Sequence, residues 1–279
     1  MKEIIVDREE ELYTFLRNNI PGSKNNIKSF LTKKMVAVNG KTITQYNYIV
    51  KPNDVISIGA KNVGSFLGNI KIIYEDDDIL VVDKPSGMLT IATEEDKDST
   101  NNLYDVLSKY VKKKNSNCKL YIVHRLDKDT SGVLLFSKNE RLKDYLQDNW
   151  NELATRVYYA VVIGKTKDKE TLKSYLKEND KLVTYSDKEG KLAITEYKRI
   201  KSNDSYSLLE INIKTGRRNQ IRVQLKEINH PIAGDSKYGF KDKTIKRMML
   251  HASKLVIKFE KKEMTFESPL SSNFYKMVE

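Results

Sequence analysis

The densest run of reactive side chains is His124-Arg125-Leu126-Asp127-Lys128-Asp129-Thr130-Ser131-Gly132. It sets a histidine, an arginine, two carboxylates and two hydroxyls between two apolar stretches, Leu120–Val123 and Val133–Phe136. Polar loops mounted on rigid strands are where reacting groups tend to sit. Asp127 and Asp129 could form an acid–base pair of the glycosidase kind, although two residues of spacing in one loop do not set the distance between carboxylates. Asp127 alone could act as nucleophile or base, with Arg125 on a phosphate. The same residues could also make an Asx-type turn closed by Thr130 and Ser131, with ion pairs to Lys128. The residues alone leave all three open.

A second cluster is Thr215-Gly216-Arg217-Arg218-Asn219-Gln220-Ile221-Arg222. Ten of the 50 basic residues are arginine, and three of them, Arg217, Arg218 and Arg222, fall within six positions. Where lysine is the default cation, arginine marks planar, bidentate recognition of phosphate or carboxylate. Thr215-Gly216 breaks a strand, and the spacing after it predicts a helix over 217–229 with Ile221, Leu225 and Ile228 on one side. In such a helix Arg218 and Arg222 are neighbours, and an anion joining them would offset their repulsion. The helix start would add free N–H groups and a positive dipole end. A solvated basic face is the plainer alternative. The third cluster, Arg156-Val157-Tyr158-Tyr159-Ala160, opens a predicted strand, where a tyrosine is usually packing.

The elements that must hold these clusters follow from periodicity. Strands are predicted at 70–74, 79–83, 120–123, 133–136, 157–163, 193–200, 206–213 and 254–259. Helices are predicted at 101–114, with Leu103, Val106, Leu107 and Tyr110 on one face, and at 139–150. Residues 1–60 read as a separate unit. Leu12, Phe15 and Leu16 predict one helix, stopped by Ile20-Pro21-Gly22-Ser23, and Ile27, Phe30 and Leu31 a second. Met35–Val38, the turn Asn39-Gly40 and Thr42-Ile43 predict a hairpin, followed by Val55–Ile58. Lys24, Lys28, Lys33 and Lys34 give the helical part a basic face. The run Gly59–Ser65 marks a linker, placed at 61–69, before a larger domain over 70–279.

Composition narrows the function. With 279 residues and 39% hydrophobic content the chain can bury a core, and its length suggests two unequal domains. A net charge of +12 favours an anionic partner such as nucleic acid over a neutral sugar. The single cysteine, Cys118, excludes an internal disulfide, and three histidines leave no zinc pattern. Without a Gly-rich phosphate loop or metal-ligand spacing, no cofactor and no metal is expected. No run approaches the ~18 apolar residues of a membrane span, and Met1–Asp7 lacks the apolar stretch of a secretion signal. A cytoplasmic protein without a membrane partner is expected.

Taken in order, these segments resemble the RluA family of pseudouridine synthases, in particular RluC/RluD-like members that carry an S-four-type RNA-binding module in front. Tyr74–Asp78 and Val82–Gly87 are similar to the family's first motif, and His124–Asp127 through Thr130-Ser131-Gly132 to its second. Tyr158-Tyr159-Ala160 resembles its tyrosine segment. Thr215–Arg222, with His230–Asp235 and Tyr238-Gly239, resembles its third motif, and Leu250-His251-Ala252 and Glu267–Leu270 its C-terminal end. Asn219 stands where the family usually has histidine, Arg156 where it has lysine, and Glu260-Lys261-Lys262 where a His-Pro is usual.

The resemblance implies an α+β fold, a mixed, mostly antiparallel sheet of the pseudouridine synthase type behind a small N-terminal α+β RNA-binding module. It implies an isomerase that breaks a uridine's N-glycosidic bond, rotates the base and rejoins it through carbon, with no cofactor or metal. Asp127 would attack the sugar or abstract a proton from it, and Arg222 would pair with it and hold it ionised. Tyr158 would lie on the base and take the final proton. Ile221 would pack on the uracil, and Arg125 would fill the gap left by the flipped base. Arg217, Arg218 and Lys84 would contact the RNA. The partner implied is RNA, with large-subunit ribosomal RNA ahead of tRNA, and the enzyme a monomer. A non-catalytic RNA-binding or ribosome-assembly protein of the same fold is the alternative, and the joint presence of Asp127, Tyr158 and Arg222 argues against it.

Overall fold

Leu12, Phe15 and Leu16, spaced for one helical face, are buried in α1 (Leu12–Asn19) of the computed structural model, and Ile27 and Leu31 in α2 (Lys24–Thr32). The structure describes residues 2–20, 24–32, 35–39, 41–58, 67–68, 70–92, 102–239, 244–259 and 262–279. Two units emerge, Met1–Asn69 and Ile70–Glu279. In the first, β1 (Lys2–Ile5), β3 (Val36–Val38), β4 (Lys41–Thr42) and β6 (Val55–Ile58) form an antiparallel sheet in the order β1-β6-β3-β4. A short pair, β2 (Glu10–Glu11) and β5 (Ile49–Val50), stands beside it in sequence and was not predicted. Both helices and the sheet share one apolar core that includes Phe15, Leu31, Val38 and Ile56. Val38 pairs with Lys41, and Asn39, next after Val38, takes a positive φ of 48°. Gly40, Lys33, Lys34, residues 61–66 and 69 of the expected linker, and Glu260-Lys261 lie outside the described residues.

The second unit is built on an eleven-stranded sheet. Its first strands are β7 (Lys71–Glu75), β8 (Ile79–Lys84), β9 (Tyr121–Ile122) and β10 (Ser131–Ser137). Next come β11 (Ala154–Ile163), β12 (Lys169–Glu178), β13 (Thr184–Ser186), β14 (Lys191–Ser202) and β15 (Tyr206–Ile213). Last are β16 (Leu250–Phe259) and β17 (Lys262–Glu267). The order is β13-β12-β14-β15-β11-β16-β10-β8-β7, with β9 on β10 and β17 on β16. Every described pairing is antiparallel except β10 with β16, where Ser131 faces His251 and Gly132 faces Ala252. The expected mixed, mostly antiparallel sheet is present.

Val133–Phe136 has no polar face, so its strand must be covered on both sides. β10 is buried at every residue. At its start Gly132 has φ 116°, and a Cβ there would lie 2.0 Å from the carbonyl oxygen of Ala252. Only glycine lets the two strands meet. One face of the sheet packs Val81, Leu135 and Leu255 against Leu142 and Leu146 of α4 (Glu140–Asp148).

The helices differ from expectation in three places. α3 (Leu103–Lys114) is capped by Asn102, whose side chain accepts from Asp105 N, and it buries Val111 where Val106 was expected. The predicted helix 139–150 breaks at Asn149, and α5 (Trp150–Leu153) follows. α6 (Gln220–Glu227) begins three residues later than predicted. The side chain of Gln220 explains the delay. Its Oε1 accepts from Arg217 N at 3.0 Å and Thr215 Oγ1 at 2.7 Å, which holds 215–219 as a loop. A last short helix, α7 (Ser272–Lys276), ends the chain's described elements. Among the described residues no helix is long and apolar enough to cross a membrane.

Candidate active site

The loop before β10 is clamped from the turn that follows β8. Lys84 Nζ donates to the carbonyls of Pro85, Met88 and Lys128 at 3.1, 2.6 and 2.9 Å. Gly87 N also donates to Lys128 O, Ser86 Oγ to Asp129 O at 2.7 Å, and Thr90 Oγ1 to Leu126 O at 2.8 Å. His124 Nε2 accepts from Leu135 N at 3.1 Å, and its ring stacks on Trp150. Burial, helped by Arg156, pushes the imidazole down to about 3, so it stays neutral and keeps this acceptor. Asp127 is therefore held from both sides by backbone contacts.

The expected role of Lys84 as an RNA contact is corrected. It is fully buried, and all three of its ammonium donors are engaged by carbonyls. It ties one loop to the other.

From the opposite side comes Arg222 on the first turn of α6. Its Nη1 lies 3.2 Å from Asp127 Oδ2, across 95 residues of sequence. The rest of the guanidinium is fixed. Nε and Nη2 donate to Asp235 at 2.7 and 2.8 Å, Nη1 also reaches Asn219 Oδ1 at 2.9 Å, and the Tyr238 ring lies beneath at 5.0 Å. Burial works against the charge on Arg222, but Asp235 and then Asp127 outweigh it and raise its pKa. Burial likewise works against ionised Asp235, and Arg222 with two backbone N–H groups holds its pKa down. Asp127, 32% exposed at its side chain, is the member of the trio that solvent or substrate can reach; the side chain of Asp235 is at 0%.

The two groups open into a cleft of about 730 Å³. Seven basic residues line it (Arg125, Lys128, Arg156, Arg217, Arg218, Arg222 and Lys237), and Asp127 is its one carboxylate. Asp129 does not line it, so the two-carboxylate reading loses its second member. Tyr158, from the inner face of β11, does line it and is 8% exposed. Burial raises its phenol to about 12, with Arg156 opposing and Asp127 adding to the rise. Ile221 faces a smaller recess of about 80 Å³ shared with Arg125, Asp127 and Tyr158.

The predicted arginine pair does not form. Arg218 precedes α6 and meets Glu178 at 2.9 Å, while Arg217 Nε donates to Leu192 O at 3.0 Å. Sequence reasoning assigned no role to Asp235 or Tyr238, although both lie in the third motif. It left Asn219 open. Asn219 adopts φ 52°, a conformation asparagine tolerates better than most residues, and its amide bridges Arg222 and the Tyr238 hydroxyl.

A basic cleft across a mostly antiparallel sheet, with one arginine-paired carboxylate, has the charge to receive a polyanion. The fold is that of solved pseudouridylate synthase domains. Human RNA Pseudouridylate Synthase Domain Containing 4 matches 74% of this chain and 90% of its own at a TM-score of 0.62 and 20% identity. The sequence profile of the RNA pseudouridylate synthase family matches residues 78–227. An uncharacterized RNA pseudouridine synthase of Bacillus subtilis is 32% identical over 268 residues, covering 91% of this chain and 87% of that protein. Ribosomal large subunit pseudouridine synthase D of Borreliella burgdorferi is 38% identical over 228 residues, covering 75% and 70%. The chain belongs to the RluA family of RNA pseudouridine synthases, isomerases that act on uridine in RNA.

Proposed function

We propose that this enzyme converts particular uridines of large-subunit ribosomal RNA to pseudouridine, with Asp127 as the reacting carboxylate. The observation that carries this reading is the 3.2 Å contact between Asp127 and Arg222 in a cleft whose other described charged side chains are cations. The cations suit a folded RNA, and the name of the Borreliella burgdorferi relative points to the large ribosomal subunit.

The target base is stacked in its RNA, so it must be extruded, at about a few kcal/mol, before any side chain can reach the sugar. Arg125, exposed at the cleft mouth, takes the vacated place. The base enters beside Tyr158 with Ile221 on its other side. Asp127, paired with Arg222, attacks the sugar or removes a proton from it, and the N-glycosidic bond breaks. The freed uracil turns within the recess and its carbon bonds to the sugar as the Asp127–sugar bond breaks or the abstracted sugar proton returns; the proton on that carbon is then lost and one is gained by the ring nitrogen that left the sugar. A phenol pushed up to about 12 is neutral at working pH, which supports Tyr158 as a surface for the base and as a relay, not as a standing base.

The test is Asp127→Asn, which keeps the shape and removes the charge. Single-turnover conversion of a uridine-labelled RNA should vanish while RNA affinity stays within a few-fold, because phosphate contacts dominate binding. Asp129→Asn should keep substantial activity. Near-normal conversion by Asp127→Asn would overturn the mechanism.

A further inference from the structure

Among the described residues three cations are buried: Lys84, Arg156 and Arg222. Lys84 is satisfied by carbonyls, and Arg222 by two carboxylates. Arg156 has no carboxylate partner. It is 6% exposed, its Nη2 donates to the neutral Asn151 Oδ1 at 2.9 Å, and its Nε is buried without an acceptor. Burial opposes its charge and only the Tyr158 phenol favours it, so its pKa falls below the usual guanidinium value. An arginine nevertheless stays protonated under working conditions. A buried charge is costly unless something of opposite sign joins it.

The surroundings leave room for that partner. Arg156 lines the cleft, and a Cβ at Gly216 would lie 3.0 Å from its Nη1. The φ of Gly216 is outside the left-handed region, so the backbone alone does not require glycine there. Its bareness keeps the guanidinium uncovered. Arg156 and Tyr158 alternate onto the same face of β11, about 7 Å apart along the strand.

We infer that Arg156, beside Gly216, is a phosphate-binding site that holds a backbone phosphate of the RNA next to the nucleotide whose base lies against Tyr158. The inference rests on the uridine-isomerising reading of the same cleft. With Nη2 on Asn151 and Nε buried, Nη1 is the end of the guanidinium left to donate to a phosphate.

The probe is a short stem-loop of large-subunit ribosomal RNA that the wild-type protein binds, made with single neutral methylphosphonate linkages at each position around its uridine. Wild type should lose about 10-fold in affinity at one linkage adjoining the uridine, the size of one charge-assisted hydrogen bond. Arg156→Gln should bind the unmodified RNA about 10-fold more weakly, show no further loss at that linkage, and have a salt slope shallower by about 0.7–0.9. Arg156→Lys should keep the salt slope but recover only part of the affinity. If Arg156→Gln does not fold, Arg156→Lys takes its place in the cycle, with the sensitivity at that linkage reduced several-fold. Equal sensitivity of wild type and variant at every linkage, or no sensitive linkage in wild type, overturns the inference and leaves Arg156 a tether for Asn151. Conversion of the unmodified stem-loop is followed separately. Conversion without coupling to Arg156 fails only this site, whereas absence of conversion bears on the uridine reading and leaves the binding cycle readable.

Discussion

Asp235 has no access to the cleft, yet it decides where Arg222 points. By taking Nε and Nη2 it leaves Nη1 as the end offered to Asp127. Asp235→Asn should slow single-turnover conversion by about 100-fold, the scale of an ångström of misplacement, with RNA affinity nearly unchanged. A folded variant with an unaltered rate would show that Arg222 needs no such anchor. The Asp127–Arg222 meeting was expected from the resemblance of their two segments to family motifs, since a contact across 95 residues leaves no mark in local spacing. Asp235 was not, because its role exists only once the chain folds back 13 residues onto α6. Lys84 was misread for a related reason. A lysine between Asp83 and Pro85 gives no hint of burial, and burial is what turns a phosphate ligand into a backbone clamp.

At the level of elements, Glu75 joins three of them. At the end of β7 it accepts from Tyr110 and Lys114 of α3, each at 2.7 Å, and from Lys138 just past β10 at 2.8 Å. Burial opposes its ionisation, but these donors outweigh it and hold the carboxyl down at about 2, against an ordinary 4.5. The stability it contributes is complete above about pH 4.5 and is lost as pH falls through about 2. Glu75→Gln should cost about 2 kcal/mol at neutral pH, allowing for partial exposure. That is roughly 4–8 °C in Tm, measured by thermal denaturation, and the gap to wild type should close on acidification below about pH 4. A gap that does not change with pH would show that hydrogen bonding, not charge, does the joining. Long apolar strands such as β11 and β15 were legible because their pattern is strong. β12 was not. Its only buried apolar side chains, Leu172 and Leu176, are four apart in a run of charges, a spacing shared by strands and helices. The start of α6 was misjudged because a side chain, Gln220, competes there with the helix for backbone donors.

On the scale of the whole molecule, the front unit and the unit carrying the cleft each have their own core. We expect the front unit, with Lys24 and Lys28 exposed, to supply sequence-independent RNA affinity. Deleting residues 1–69 should leave a cooperatively melting protein that binds RNA more weakly and with a shallower salt dependence, yet still converts a short stem-loop. Loss of all turnover by the folded remainder would make the front unit part of the active site.

The one parallel contact in the sheet also bears on how the enzyme is made. β16 lies between β10 and β11, so the strand that joins these two parts of the sheet follows both of them in the chain. Residues 138–249 must emerge first, and such long-range pairing is slow to form. Until then β10, which carries the Asp127 loop, has an open edge where Ala252 will sit, and a nascent chain in that state is exposed to wrong pairing. The Asp127 loop thus cannot gain its partner strand before residues 250–259 have been synthesised.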